Sequence, residues 1–168
     1  MPLLVSPDRL PLPPTTRVLF LAGSIEMGRA EDWQSRLAAT VLAADPTVVV
    51  ANPRRVHWDN SWVQHAENPI FRAQVDWELD HLERADLAVF YFQPETLSPV
   101  TLMELGVRLT AHPEQTLVCC PPGFWRAGNV QIACLRAGLP MPLSDWESLE
   151  RSVDAWGKTG SPTRKEGA

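Results

Sequence analysis

The sequence alternates short apolar runs with longer segments in which apolar residues recur at helical spacing. Four runs are largely apolar and are bounded by charged residues, proline or glycine: residues 17–22, 47–51, 85–92 and 116–120. Short runs of this kind are typical of strands buried on both faces of a parallel sheet. A weaker run at residues 139–143 predicts one further short strand.

The segments between these runs predict helices, most of them preceded by a residue that can cap a first turn. The predicted helices cover residues 33–43, 69–84, 100–110, 129–137 and 145–156. Ser, Asn and Asp side chains accept bonds from the free N–H groups at a helix start. The expected N-caps are Asp32, Asn68, Ser98 and Ser144. The predicted inward face of the second helix consists of Phe71, Val75, Leu79 and Leu82.

Strands that alternate with helices predict an α/β fold with a parallel sheet covered on both faces. About five strands favour a doubly wound, flavodoxin-like or Rossmann-like sheet of order 2-1-3-4-5, whose ligand crevice lies between the first and third strands. We expect one α/β domain at residues 16–157. A proline-rich irregular arm at residues 1–15 precedes it, and a disordered polar tail at residues 158–168 follows.

Composition narrows the class of protein. The 168 residues carry a net charge of −5, which argues against a nucleic-acid partner, and no apolar run is long enough to span a bilayer. The first residues lack the pattern of a signal peptide. The three cysteines (Cys119, Cys120 and Cys134) lack metal-ligand spacing and are interpreted as buried thiols in a reducing compartment. We therefore expect a cytoplasmic protein without metal or cofactor.

The candidate chemistry lies on both sides of the third predicted strand. Glu104 sits among apolar neighbours near the start of the following helix, where a carboxylate is partly desolvated or simply complements the helix dipole. Glu78 and Asp80 belong to an acidic cluster late in the preceding helix, which is either catalytic or a solvated face. The segment 23–25 after the first strand offers N–H groups to an anion or a sugar oxygen, or is only a tight turn.

The segment at residues 52–68 is long, polar and aromatic, and a connection of this length within a compact domain is typically functional or disordered. Its tryptophans, Trp58 and Trp62, offer flat surfaces on which a nucleobase can stack. Packing of both rings onto the protein body or a partner subunit is the alternative interpretation.

Several of these segments resemble the nucleoside 2-deoxyribosyltransferase superfamily. The segment 20–25 followed by Gly28-Arg29 is similar to its opening motif, and Ser98 followed by Glu104-Leu105-Gly106 is similar to its nucleophile motif. Ala85-Asp86 before the third strand also matches. The resemblance extends over residues 17–138 and includes a branch of nucleoside 5′-monophosphate N-glycosidases.

The resemblance implies that Glu104 attacks the anomeric carbon of a nucleoside and forms a covalent glycosyl intermediate, which a second base or water then resolves. Glu78 stands at the position of the family's second acid, where the family has Asp. Asp80 lies two residues further on, so Glu78 and Asp80 both remain candidates for the second acid. The inward face predicted for this helix lies beside Glu78 rather than Asp80 and favours Glu78.

The resemblance also implies which residues bind the substrate. Ser98 matches a position that holds the sugar's 5′ end, and Asn129 matches one that reaches a neighbouring subunit, which implies a homodimer or higher homo-oligomer. Phe20 stands where the family often has Tyr, and Glu26 stands where the phosphate-binding branch has a basic residue, so the need for a 5′-phosphate stays open. The candidate binding residues are Phe20, Gly23, Ser24, Ile25, Trp58, Trp62, Ser98 and Asn129.

The leading hypothesis is therefore an enzyme that exchanges or cleaves the N-glycosidic bond of a nucleoside or nucleotide in nucleotide salvage. The alternatives are a nucleoside 5′-monophosphate N-glycosidase and a sensor domain that binds a nucleotide without turnover.

Overall fold

The computed structural model describes residues 3–8, 12–26, 30–55 and 61–161. Five strands form one sheet of order β1-β3-β2-β4-β5, and every neighbouring pair is parallel. The strands are β1 (Leu3–Val5), β2 (Val18–Gly23), β3 (Val49–Asn52), β4 (Leu87–Tyr91) and β5 (Thr116–Cys119). The helices are α1 (Trp33–Ala44), α2 (Pro69–Arg84), α3 (Pro99–Ala111), α4 (Ala127–Arg136) and α5 (Trp146–Thr159), with a 3₁₀ turn at Pro113–Gln115. The predicted fold class is confirmed.

The two edges of the sheet differ from the sequence prediction. Leu3–Val5 was assigned to an irregular arm but forms β1, which pairs with β3. Its local sequence is too short, and too close to prolines, to show a strand pattern. At the opposite edge, residues 139–143 contribute a single parallel bridge, Cys119 to Leu143, where a fifth strand was predicted.

The strands alternate their side chains between two apolar layers. Phe20 and Phe90 face the layer that contains α2, α3 and α4, whereas Leu19 and Val89 face the layer that contains α1 and α5. All residues of β2 and β4 are buried, which explains why these strands read as continuous apolar runs. The three cysteines are buried free thiols.

The inward face of α2 is rotated from the predicted one. Its buried residues are Gln74, Trp77, His81 and Leu82, whereas Leu79 is 38% exposed. The face predicted from the apolar positions is wrong because two polar residues, Gln74 and His81, are buried here with hydrogen-bond partners. Glu78 still flanks the buried face and is half-buried, whereas Asp80 is exposed.

The helix starts test the predicted caps. Asp32 accepts from Ser35 N and Asn68 accepts from Ile70 N, so both caps are confirmed. Asp145, rather than Ser144, caps α5. This helix continues through Gly157 and ends at Thr159, within the segment for which the sequence predicts a disordered tail. Residues 162–168 of that tail lie outside the described part of the chain. The Ser98 side chain makes no cap bond to α3, for the reason given below.

Candidate active site

The carboxyl ends of β2 and β4 meet at one edge of the sheet. Gly23 pairs with Tyr91, and Ser24 N–H donates to Tyr91 O at 3.0 Å. A Cβ atom on Gly23 would lie 2.4 Å from Tyr91 O and 2.5 Å from the ring of Trp33, so only glycine fits here. This close approach brings the loop after β2 against the loop that leads into α3, as the predicted switch point required.

Three hydroxyl groups, of Ser24, Thr96 and Ser98, form a hydroxyl cluster between these loops. Ser24 Oγ lies 2.7 Å from Thr96 Oγ1 and 2.8 Å from Ser98 Oγ, and the latter two are 3.0 Å apart. Ser24 is fully buried and also accepts from Gln93 N at 3.0 Å. Since a hydroxyl both donates and accepts, the cluster can bind a hydroxyl or a phosphate oxygen of a ligand.

Glu26 supplies the cap of α3 that was predicted for Ser98. Leu97 N–H and Ser98 N–H both donate to Glu26 Oε1, each at 2.9 Å. Ser98 adopts a left-handed conformation (φ 46°), and its hydroxyl belongs to the hydroxyl cluster instead. The predicted capping role of the Ser98 side chain is therefore wrong. A carboxylate at this place also complements the positive end of the helix dipole.

Two carboxyl groups, of Glu104 on α3 and Glu78 on α2, interact inside the protein. Glu104 is only 7% exposed. Burial, and then the charge of Glu78, raise the pKa of Glu104 to about 8. Burial also raises the pKa of Glu78 to about 7, although a hydrogen bond from Gln74 and the charge of Arg55 oppose this rise. We call these two residues the carboxyl pair.

Gln74 holds the carboxyl of Glu78 in place. It lies one turn earlier on α2 and is 1% exposed. Its Nε2 donates to Glu78 Oε1 at 2.6 Å, and its Oε1 accepts from Ser6 Oγ and from Arg55 Nε. These bonds fix the amide orientation of Gln74. Sequence reasoning missed Gln74, because a buried glutamine has no local signature; its only signal was its position four residues before Glu78.

The described part of the 52–68 segment lies against this group. The guanidinium of Arg55 stacks over the ring of Trp62, 5.0 Å from its centroid. Burial lowers the pKa of Arg55, and the charge of Glu78 opposes this shift. Trp62 is thereby linked to the carboxyl pair through Arg55. Trp58 lies outside the described residues, as do Gly28 and Arg29 of the opening motif.

The remaining predicted site residues are dispersed. Phe20 is fully buried beneath the site against Trp77, and Ile25 is half-buried in the loop after β2. Asp80 is exposed on α2. Asn129 is exposed on α4, where it lines a cleft of about 340 Å³ against α3 that includes neither member of the carboxyl pair.

The described residues contain neither a candidate metal site nor a candidate membrane-spanning helix. No group of three or more His, Cys, Asp or Glu side chains there is arranged to hold a metal ion. No described helix has the length and apolar character that crossing a membrane requires.

The arrangement combines a buried carboxyl near a helix start, a second carboxyl fixed by an amide, and neutral hydroxyls at the adjoining loops. Two interacting carboxyls with raised pKa values can divide the roles of nucleophile and acid. This pattern is suited to displacement at an anomeric carbon, where one carboxylate forms an ester and the other carboxyl donates a proton.

The comparisons with known proteins concern the fold and the family. A crystal structure described as a conserved protein from Enterococcus faecalis V583 has a similar fold, with a TM-score of 0.57. The identity is 14%, and the match covers 83% of this chain and 98% of that one. A comparison with curated protein sequences gives no match. The family model described as "nucleoside 2-deoxyribosyltransferase like" matches residues 16–124, more than half of the chain. The chain therefore belongs to the nucleoside 2-deoxyribosyltransferase-like family.

Proposed function

We propose that the protein transfers the sugar of a 2′-deoxynucleoside from one nucleobase to another through a covalent intermediate on Glu104. The observation that carries the proposal is the carboxyl pair: a buried Glu104 on α3 that interacts with Glu78, whose carboxyl Gln74 holds in place. Family membership supports the substrate class.

In the first step, the carboxylate of Glu104 attacks the anomeric carbon, and the bond from this carbon to the base nitrogen breaks. The electron pair of that bond goes to the base, which takes a proton from Glu78. In the second step, a nitrogen of the incoming base attacks the same carbon. The ester bond breaks, Glu104 regains its charge, and Glu78 takes the proton that the incoming base loses.

The reaction needs one proton on the carboxyl pair, and that proton must sit on Glu78. Burial raises the pKa of both carboxyls, so the pair can hold one proton near neutral pH. A bound base that accepts a hydrogen bond from Glu78 favours the protonated form of Glu78. Substrate binding thus shifts the proton to Glu78 and leaves Glu104 ionised for attack.

The experiment supplies the purified protein with a 2′-deoxynucleoside and a second free base and follows the products by chromatography. We expect a new nucleoside from the wild type. Glu104→Gln keeps the side-chain shape but removes the nucleophile, so exchange should fall by about 10³-fold or more. Glu147→Gln, an exposed position on α5, is the matched control and should keep wild-type activity.

The products distinguish the alternatives. Formation of free base and free sugar, in place of a new nucleoside, would indicate a hydrolase. The Ser98 hydroxyl beside the start of α3 favours a nucleoside 5′-monophosphate N-glycosidase as that second candidate. Ligand binding without any bond cleavage would indicate a sensor, and full exchange activity in Glu104→Gln would exclude the proposed mechanism.

We further propose that the protein acts in cytoplasmic nucleotide salvage on small nucleosides. The three buried free thiols are consistent with a reducing compartment.

A further inference from the structure

The side-chain amide of Gln74 uses its whole hydrogen-bonding capacity next to the acid of the proposed reaction. Its nitrogen donates to Glu78 Oε1 at 2.6 Å and to Pro53 O at 3.4 Å. Its oxygen accepts from Ser6 Oγ and from Arg55 Nε. A glutamine amide has two N–H donors and two acceptor sites, so all four are engaged. Because Gln74 is 1% exposed, solvent has almost no access to this amide.

The four partners allow only one orientation of the Gln74 amide. If the amide were reversed, its oxygen would face two other oxygens, and its N–H groups would face the N–H group of Arg55. Both arrangements place like partial charges together. Ser6, which follows β1, and the segment 53–55, which follows β3, therefore ensure that an N–H group, and not an oxygen, is directed at Glu78.

This N–H group determines which oxygen of Glu78 carries the proton of the acid. A protonated carboxyl has one carbonyl oxygen and one hydroxyl oxygen, and the carbonyl oxygen is the better acceptor. Because Oε1 accepts from Gln74, the proton of Glu78 is favoured on Oε2. The same bond lowers the pKa of Glu78, as does the charge of Arg55, whereas burial raises it. Gln74 therefore also makes Glu78 a stronger acid.

We propose that Gln74 is the positioning residue of the acid: it keeps Oε1 of Glu78 as an acceptor and leaves Oε2 to carry the proton that the departing base takes. The inference rests on the proposed function for the destination of this proton. The position of the proton on Glu78 does not depend on any reaction, so it can be measured separately from activity.

The first experiment measures kcat, KM and the pH dependence of base exchange in Gln74→Met, which keeps a side chain of similar length but cannot donate. We expect kcat to fall by about tenfold with little change in KM. The alkaline limb of kcat/KM should move to higher pH, because loss of the bond raises the pKa of Glu78. The comparison is repeated in an Arg55→Met background, since a guanidinium released from Gln74 would otherwise approach Glu78. Leu82→Ala, at a buried position of α2, is the structural control: it should lower the Tm without moving the limb.

Isotope-edited infrared spectroscopy locates the proton without any turnover. The protein carries Glu104→Gln, which leaves Glu78 as the only carboxyl of the pair, and subtraction of the variant that also carries Glu78→Gln identifies the band of Glu78. A carbonyl that accepts a hydrogen bond absorbs at a lower frequency than a free one. The carbonyl band of protonated Glu78 should therefore move to higher frequency in Gln74→Met, and less far in Ser6→Ala, which removes only one of the bonds that orient Gln74.

The two experiments separate failure of this inference from failure of the proposed function. If no protein cleaves or exchanges any nucleoside, the proposed function fails, but a shifted band of Glu78 still supports the role of Gln74. A band that Gln74→Met does not move would overturn the inference, as would an active Gln74→Met with the wild-type pH profile. If Gln74→Met does not fold, an unchanged band in Ser6→Ala overturns it.

Discussion

Glu104 and Glu78 show how burial changes the acidity of two ordinary carboxyl groups. The shifts of both pKa values come first from burial. Arg55 and Gln74 act on Glu78 and oppose its shift, whereas the charge of Glu78 adds to the shift of Glu104. The pair therefore exchanges protons close to neutral pH, where an acid–base pair is most effective.

This coupling predicts a narrow bell-shaped pH dependence of kcat/KM. As pH falls through about 7, both carboxyls become protonated and the nucleophile is lost; as pH rises through about 8, both become ionised and the acid is lost.

Glu78→Gln removes the acid and the like charge. The rate should fall by about 10²-fold or more, and the alkaline limb, which reports the ionisation of Glu78, should disappear from the profile. The measurement is the pH dependence of kcat/KM, and we expect the loss of the acid to be largest for nucleosides with poor leaving bases.

Asp80→Asn is the matched control for this prediction. It also neutralises a carboxyl on α2, but Asp80 is exposed, so the profile should stay that of the wild type. A larger loss of rate in Asp80→Asn than in Glu78→Gln would assign the acid to Asp80.

At the scale of elements, the connection between β3 and α2 joins the site to a stacking surface. Arg55 bonds to the buried Gln74 and covers the ring of Trp62, so this connection is tied to α2 rather than only to its own ends. A nucleobase has a flat π face that gains from stacking on an indole or a guanidinium. Arg55 of this connection also acts on Glu78 through its charge. Under the proposed function, Glu78 donates a proton to the same nucleobase.

We expect Trp62→Ala to weaken base binding, because it removes the ring beneath Arg55 and admits water to the intermediate. The KM for the acceptor base should rise by about tenfold, the change that about 1.4 kcal/mol of lost stacking produces. The ratio of hydrolysis to transfer should rise as well. Trp62→Phe keeps an aromatic face and should retain most of the wild-type partitioning. Unchanged partitioning in Trp62→Ala together with a lower Tm would assign this tryptophan to structure alone.

At the scale of the whole molecule, the outer surface of α3 and α4 carries exposed apolar residues, and Asn129 is exposed on α4. The exposed residues of this surface are Val100, Met103, Val107, Ile132 and Leu135. Contiguous exposed apolar residues are typical of association surfaces. The family resemblance implies that Asn129 reaches the site of a neighbouring subunit, so its proposed role requires a second subunit.

We therefore propose a homodimer or higher homo-oligomer that associates through this surface. Val107→Glu should shift the mass measured by analytical ultracentrifugation toward the monomer, because it places a charge in an apolar interface. Exchange activity should fall with it. Met141→Glu adds the same charge at an exposed position between α4 and α5 and should change neither quantity. A wild type that sediments as a monomer with full activity would exclude this assembly.

The amino-acid sequence alone determined the alternation of strands and helices, the order of the central strands and the place of Glu104 after β4. These features depend on patterns within a few residues: apolar runs define strands that are buried on both faces, and residues such as Asp32 and Asn68 cap helices that begin beside them. Helical spacing also favoured Glu78 over Asp80 as the proposed acid, and the structure leaves Glu78 half-buried and Asp80 exposed, although the inward face of α2 was predicted through the wrong residues.

Only the tertiary structure decided the features that join distant segments. Glu26 caps a helix that begins more than 70 residues later, Gln74 bonds to Ser6 across 68 positions, and Leu3–Val5 becomes a strand because β3 offers it an edge. A carboxylate, a buried amide or a three-residue strand has no pattern of its own along the chain. Each takes its role from the partner that folding brings to it, since an unpaired polar group would be costly to bury.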